Sequence, residues 1–91
     1  MNYQTLRTCA NRGAFEAIPE GDPRIDLGNV RARLESAGIR VVDCRVMLIA
    51  HFDREVTIGR DGRILIKSLE RDEAARILDL VRPYVDEAAR A

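Results

Sequence analysis

The side chains able to do acid–base, nucleophilic or metal chemistry are few in this sequence, and they are scattered. His51 is the lone histidine, and Cys9 and Cys44 are the two cysteines. An imidazole acts as a general base or metal ligand only beside a group that orients it or completes a ligand set. No such group stands at a recognisable spacing from His51, which could serve a metal only across an oligomer interface. A half-buried strand histidine is the plainer reading. The cysteines lie 35 positions apart without a Cys-x-x-Cys, so one chain builds neither a zinc ribbon nor a thioredoxin-like pair. Both read as free thiols. Cys44 falls between two strand segments as a small structural residue. Cys9 sits in a polar segment with Arg7 and Arg12 nearby, charges that favour a thiolate. It is the candidate reactive thiol, against the competing reading of an unreactive cysteine.

Gly59-Arg60-Asp61-Gly62 is glycine-rich, but phosphate loops open a helix and this one leads into a strand pattern, so it reads as a turn. The clusters Glu70-Arg71-Asp72-Glu73 and Asp86-Glu87 read as a solvated helix face, the first also complementing a helix amino terminus. With no nucleophile and base, no paired carboxylates and no phosphate cradle, the sequence predicts a protein that is not an enzyme and holds no metal or cofactor.

The frame for these residues is small. Ninety-one residues and 10.3 kDa make one thin core, with no room for a cofactor domain beside a catalytic one. Fifteen basic residues balance fifteen acidic ones and the pI is 6.6, without the basic excess that phosphate binding uses. Nucleic acid is therefore a disfavoured partner. No apolar run approaches a membrane span and the first residues lack a signal-peptide pattern, so the expectation is a cytoplasmic protein with no membrane partner.

Periodicity supplies the elements. After a polar lead (1–12), a strand is expected over 13–18, closed by Pro19. Asp26 caps a helix over 27–37, Ile25 staples onto Val30, Leu27, Val30, Leu34 and Ala37 share a face, and Gly38 gives a left-handed exit. The period then changes to two, with strands over 39–42, 45–52, 55–58 and 63–67, and Asp61-Gly62 is expected to form a two-residue type I′ hairpin. A closing helix starts near Arg71. Pro83 is expected to kink or end it near Arg82, leaving 83–91 as a tail that is either helical or frayed and 13–82 as the domain. The order β-α-β-β-β-β-α predicts an α+β fold: a single curved antiparallel sheet with two helices on one face. The other face is left open.

The run Glu55-Val56-Thr57-Ile58-Gly59-Arg60-Asp61-Gly62-Arg63-Ile64-Leu65-Ile66-Lys67, followed by Arg71-Asp72-Glu73-Ala74-Ala75-Arg76-Ile77, resembles the carboxy-terminal appendage of ThiF/MoeB/HesA-type adenylyltransferases, enzymes that activate ubiquitin-like sulfur carriers for thiamine and molybdopterin synthesis. The appendage has a Asp-Gly-Arg hairpin, matched by Asp61-Gly62-Arg63, and a helix with an Ala-Arg pair, matched by Ala75-Arg76. Upstream, Cys9 to Pro19, Ile25-Asp26-Leu27 and Gly38 stand where the family has a cysteine-led strand, a helix opening and a closing glycine. The resemblance spans about residues 8–82 and rests on order and spacing. Gly59 and Arg60 replace the family's aromatic residue and proline. The adenylating part, with its nucleotide loop and paired zinc motifs, is absent, so no catalytic residue carries over. The same element order resembles one half of a TATA-box-binding protein, a likeness of topology that confers no function by itself.

These readings imply a non-catalytic protein-binding module linked to sulfur-carrier activation. Its partner would be the activating enzyme, the carrier, or a second copy in a homodimer. A thiol or persulfide relay through Cys9 and nucleic-acid binding through the sheet are the alternatives. Alternation fixes the expected contact face. Val46, Leu48, Ala50 and Phe52 turn toward the helices with Val56, Ile58, Ile64 and Ile66. Arg45, Met47, Ile49, His51, Thr57 and Leu65 then form the interface, with Glu55, Arg63 and Lys67 at its rim. The competing expectation is that the amino-terminal residues or the tail after Pro83 fold over this face.

Overall fold

The computed structural model describes residues 2–8 and 13–89. Among them are six strands and two helices: β1 (Tyr3–Thr8), β2 (Phe15–Pro19), α1 (Leu27–Ser36), β3 (Val41–Asp43), β4 (Met47–Phe52), β5 (Arg54–Gly59), β6 (Ile64–Ile66) and α2 (Arg71–Ala89). The strands make one antiparallel sheet in the order β1-β2-β6-β5-β4-β3. The α+β class and the two helices follow the sequence expectation, and a strand is added at the amino-terminal edge. No helix of the described residues is long and apolar enough to cross a membrane.

The helices cover one face. Leu27, Val30 and Leu34 of α1 and Ala74, Ile77, Val81 and Val85 of α2 bury against Ala17, Leu48, Ala50, Val56, Ile58, Ile64 and Ile66 of the sheet. Each fully buried Val, Leu or Ile contributes about 1.5–3 kcal/mol of transfer free energy, so this single layer is what holds the two helices down. Local signals place α1. Asp26 accepts from the Asn29 amide at 3.2 Å, and Ile25 and Val30 are both buried. Gly38, with φ of 80°, lets its own amide and that of Ile39 reach the carbonyls of Glu35 and Leu34 at 3.0 and 2.9 Å.

Three expectations are corrected. Residues 3–8 are not a polar lead but an edge strand, paired with β2 from Tyr3↔Pro19 to Thr8↔Phe15. The register slips between Tyr3 and Thr5, so Tyr3 and Leu6 both pack on the core although they stand an odd number of residues apart. The Tyr3 hydroxyl donates to the Gly62 carbonyl at 2.8 Å, tying this edge to the β5–β6 loop. Burial holds the Tyr3 phenol well above the ordinary tyrosine range, and the Asp86 carboxylate pushes in the same direction.

The Asp61-Gly62 turn is not of type I′, which requires positive φ at two successive residues. Gly62 has φ of 87° while Asp61 does not. The Gly62 amide donates to the Gly59 carbonyl at 3.0 Å and the Gly59 amide to the Arg63 carbonyl at 2.9 Å, a three-residue loop closed by a left-handed glycine. The Asp61 side chain accepts from the Arg63 amide at 3.1 Å.

Pro83 does not end α2, which runs through it to Ala89, so of the two expectations for the tail the helical one describes 83–89. Val81 and Val85, on either side of it, have no exposed surface, and Tyr84 packs near Phe52 with ring centroids 6.1 Å apart. Burial of this turn outweighs the missing amide, and the Asp79 carbonyl it would have met belongs to an exposed residue.

Candidate interaction surface

Antiparallel register assembles the uncovered face of the sheet in rows. One row crosses all six strands: Val42, Ile49, Thr57, Leu65, Glu16 and Arg7, each the cross-strand neighbour of the next. On either side of it on β4 lie Met47 and His51, the latter opposite Glu55. Val42 is 54% exposed and Met47 37%, large values for aliphatic side chains on a strand, while Ile49, Thr57 and Leu65 are half-buried. Exposed aliphatics standing singly are ordinary, but neighbouring ones on a flat sheet form a patch.

At one end of this face the β5–β6 loop borders a shallow concavity of about 440 Å³, floored by Val46, Met47, Thr57 and Leu65 and rimmed by Arg60 and Arg63. Gly59 is part of its lining, and an added Cβ there would lie 2.7 Å from the Asp61 carboxylate.

Most charges on the face are paired within the chain. Glu16 meets Arg7 at 3.1 Å and Arg63 at 3.9 Å, Arg63 also meets Asp61 at 3.6 Å, and Lys67 meets Glu55 at 3.1 Å. Such exposed pairs add little to stability, about 0–1 kcal/mol each. They pair Arg7, Arg63 and Lys67 with Glu16, Asp61 and Glu55, and leave Arg60 at the rim as a fourth cation without an ion pair among the described residues.

Of the expected interface, Met47, Ile49, His51, Thr57 and Leu65 do lie together on this face. Arg45 does not lie on the ladder. It sits in the β3–β4 turn with φ of 70°, its amide held by the Asp43 carboxylate at 2.8 Å. Val46, expected to face the helices, precedes β4 and is 56% exposed, because the left-handed residue before it resets the alternation. Val42, Glu16 and Ile18 join the outward set. The β2 alternation, with Phe15, Ala17 and Pro19 buried, is the signal that turns Glu16 and Ile18 outward. Neither described end covers the face: β1 extends the sheet sideways and α2 lies on the opposite side.

Other candidate groups lie apart from one another. Cys44 is a free, exposed thiol in the β3–β4 turn, and Cys9 lies outside the described residues. His51 is exposed, and no group of three or more metal-ligating side chains occurs among the described residues. A second hollow, of about 420 Å³, lies beside the start of α2 among Gly13, Arg54, Ser68, Glu70 and Glu73. There the Ser68 hydroxyl donates to Glu73 at 2.6 Å and Arg54 meets the same carboxylate at 3.1 Å. The Ser68 hydrogen bond, aided by Arg54, holds the Glu73 carboxyl below its ordinary range, which suits a helix cap and makes a poor general base.

Comparison with protein families, with curated proteins and with solved structures finds no match for this chain.

Proposed function

We propose that this chain is a non-catalytic protein-binding module and that the open face of its sheet is the contact surface. The observation that carries this reading is the strip Val42, Ile49, Thr57 and Leu65, with Met47 beside it, left uncovered by every described element of the chain. An apolar centre with a polar rim is the layout of a recognition patch. The topology that resembles half of a TATA-box-binding protein belongs to the same reading. Protein is favoured over DNA because three of the four cations of the face are paired with its own anions and the chain has no net charge.

The partner class implied by the sequence, an adenylyltransferase that activates a ubiquitin-like sulfur carrier or the carrier itself, rests on the order and spacing of Ile25-Asp26-Leu27, Gly38, Asp61-Gly62-Arg63 and Ala75-Arg76. To test it, each purified partner is titrated into the chain and amide resonances are followed. Shifts confined to β4, β5 and β6, and abolished by Leu65→Glu, are expected. Shifts confined to α1 and α2 would refute the contact surface, and no shift with either partner would refute the pathway.

A further inference from the structure

We propose that the concavity at the β5–β6 end of the open face binds an acidic, apolar peptide segment of a partner protein, with an aliphatic side chain on its floor and a carboxylate on Arg60. This assignment rests on the reading that the face is a protein-contact surface, and adds the chemistry of what it contacts.

Charge comes first. Three cations stand at or beside the concavity, Arg7, Arg60 and Arg63, against two anions, Glu16 and Asp61. Glu16 is shared between Arg7 at 3.1 Å and Arg63 at 3.9 Å. Both oxygens of Asp61 are turned to Arg63, Oδ1 accepting from its amide at 3.1 Å and Oδ2 facing its guanidinium at 3.6 Å. Arg60 is exposed and has no ion pair among the described residues. A guanidinium in that position receives a carboxylate through two parallel hydrogen bonds. One cation matches one carboxylate, whereas a phosphate carries nearly twice the charge and a nucleic acid strand needs a row of cations.

The backbone holds Arg60 in place for this role. Its amide donates to the Val46 carbonyl at 3.3 Å, in the turn before β4, and its carbonyl accepts from the Ile25 amide at 2.9 Å, just ahead of α1. Gly59 beside it is fixed as well, its amide on the Arg63 carbonyl at 2.9 Å and its carbonyl on the Gly62 amide at 3.0 Å. The Arg60 guanidinium is therefore free while its attachment point is tied to two distant parts of the chain. Binding orders one side chain and no loop, which keeps the entropic cost low.

Shape and register supply the rest of the ligand. Val46, Met47 and Leu65 make the floor apolar, and the first two are 56% and 37% exposed. The concavity is open along the sheet, so it suits an extended chain laid over the strands better than a small molecule, which pockets enclose. On β5, Thr57 and Gly59 share the open face, opposite Leu65 and Met47 respectively, and Arg60 follows Gly59 directly. Thr57 and Gly59 are about 7 Å apart along the strand, the same spacing at which an extended ligand repeats side chains on one face. An aliphatic side chain over Thr57 and Leu65 thus carries a carboxylate, two residues along, to the Arg60 end. With one anchor and one ion pair, such a segment binds with a Kd of roughly 0.1–1 mM.

The probe is the blocked peptide acetyl-Asp-Ser-Leu-Ser-Asp-amide, which offers a carboxylate on either side of Leu and so serves both chain directions. It is titrated to about 5 mM into the chain while amide resonances are followed. Saturable shifts at Met47, Thr57, Gly59, Arg60 and Leu65 are expected. Peptides with Asn for both Asp, or with Ser for Leu, should bind at least about 5-fold more weakly, and acetate ion should give no saturable shift. Arg60→Gln should weaken the Asp peptide about 5–10-fold and leave the Asn peptide unchanged, and Arg60→Lys should restore part of the loss. Both variants should keep the parent's thermal transition, because the two backbone hydrogen bonds of residue 60 remain. Equal affinity for the Asp and Asn peptides, equal affinity in the parent and Arg60→Gln, or no shift with any peptide overturns the proposal. Acetate that shifts the same resonances as strongly as the peptide also overturns it, as a free-anion effect. Shifts confined to Asp22, Arg24 and Asp61 and weakened by Arg24→Gln overturn the site, since they put the carboxylate in the neighbouring hollow. The contact-surface reading is judged separately, by the partner titration with Leu65→Glu, and stands if the peptide fails while the partner's shifts fall on the open face.

Discussion

Replacing Tyr3 by Phe tests whether β1 is docked as described, since it removes one oxygen and leaves the ring. The lost contact is the hydroxyl donating to the Gly62 carbonyl at 2.8 Å, across 59 positions of sequence. A neutral hydrogen bond contributes about 0.5–1.5 kcal/mol net, and Gly62 is buried, so its carbonyl is left without that donor; together a loss of about 1.5 kcal/mol is expected at pH 7. For a domain of this size that lowers Tm by roughly 6–12 °C. The pH dependence is more diagnostic. Because burial raises the Tyr3 pKa in the folded state above its unfolded value near 10, the contribution of its neutral form is complete below about pH 10. Above that pH the unfolded chain releases the proton while the folded one keeps it, so parent stability falls by up to about 1.4 kcal/mol per pH unit, less for a ring only partly removed from water. Tyr3→Phe lacks this fall, and the two stability curves should meet near about pH 11. Urea unfolding followed by circular dichroism between about pH 7 and 11.5 reads both effects. Parallel curves over that range, or a cost below about 0.3 kcal/mol at pH 7, would refute the docking of β1 through this hydroxyl.

Leu48→Ala should cost about 2–5 kcal/mol in urea unfolding and Ile49→Ala under about 1 kcal/mol in the monomer, since Leu48 has no exposed surface and Ile49 lies on the open face; equal losses would refute the assignment of faces. Pro83→Ala should raise stability by about 1–3 kcal/mol by restoring an amide to the helix interior, and an unchanged or lower urea midpoint would place the end of α2 near Arg82. Arg45→Gly should gain about 0.5 kcal/mol, because φ of 70° is strained for Arg and free for Gly; a loss in the same assay would mean that the β3–β4 turn has another shape.

How legible an element is in the sequence depends on whether its cause is local. Helix α1 is readable because Asp26, Ile25 and Gly38 each act within five residues of the helix they bound. Strand β1 is not, because the bulge between Tyr3 and Thr5 puts Tyr3 and Leu6 on the same face and so removes the period of two that would announce a strand. Pro83 misleads for the opposite reason. The local rule is sound, but Val81 and Val85 are buried by β-strand residues far away in sequence, and that burial is stronger than one missing hydrogen bond.

The contact face shows the same division. Met47, Ile49, Thr57 and Leu65 fall out of alternation within single strands, so their grouping is readable once each strand is recognised. The phase fails where a left-handed residue interrupts it, at Arg45, and Val46 is turned to solvent as a result. What alternation does not contain is which strands are neighbours. Glu16 reaches Arg7 on β1 and Arg63 beside β6 because β2 lies between those two strands, an adjacency set by long-range pairing. That arrangement changes the chemistry of the face. Alternation places Glu55, Arg63 and Lys67 at the rim of an apolar patch without saying which charges meet. In the sheet Arg63 meets Glu16 and Asp61 and Lys67 meets Glu55, so the proposed contact rests mainly on the shape and apolarity of the Val42–Leu65 strip.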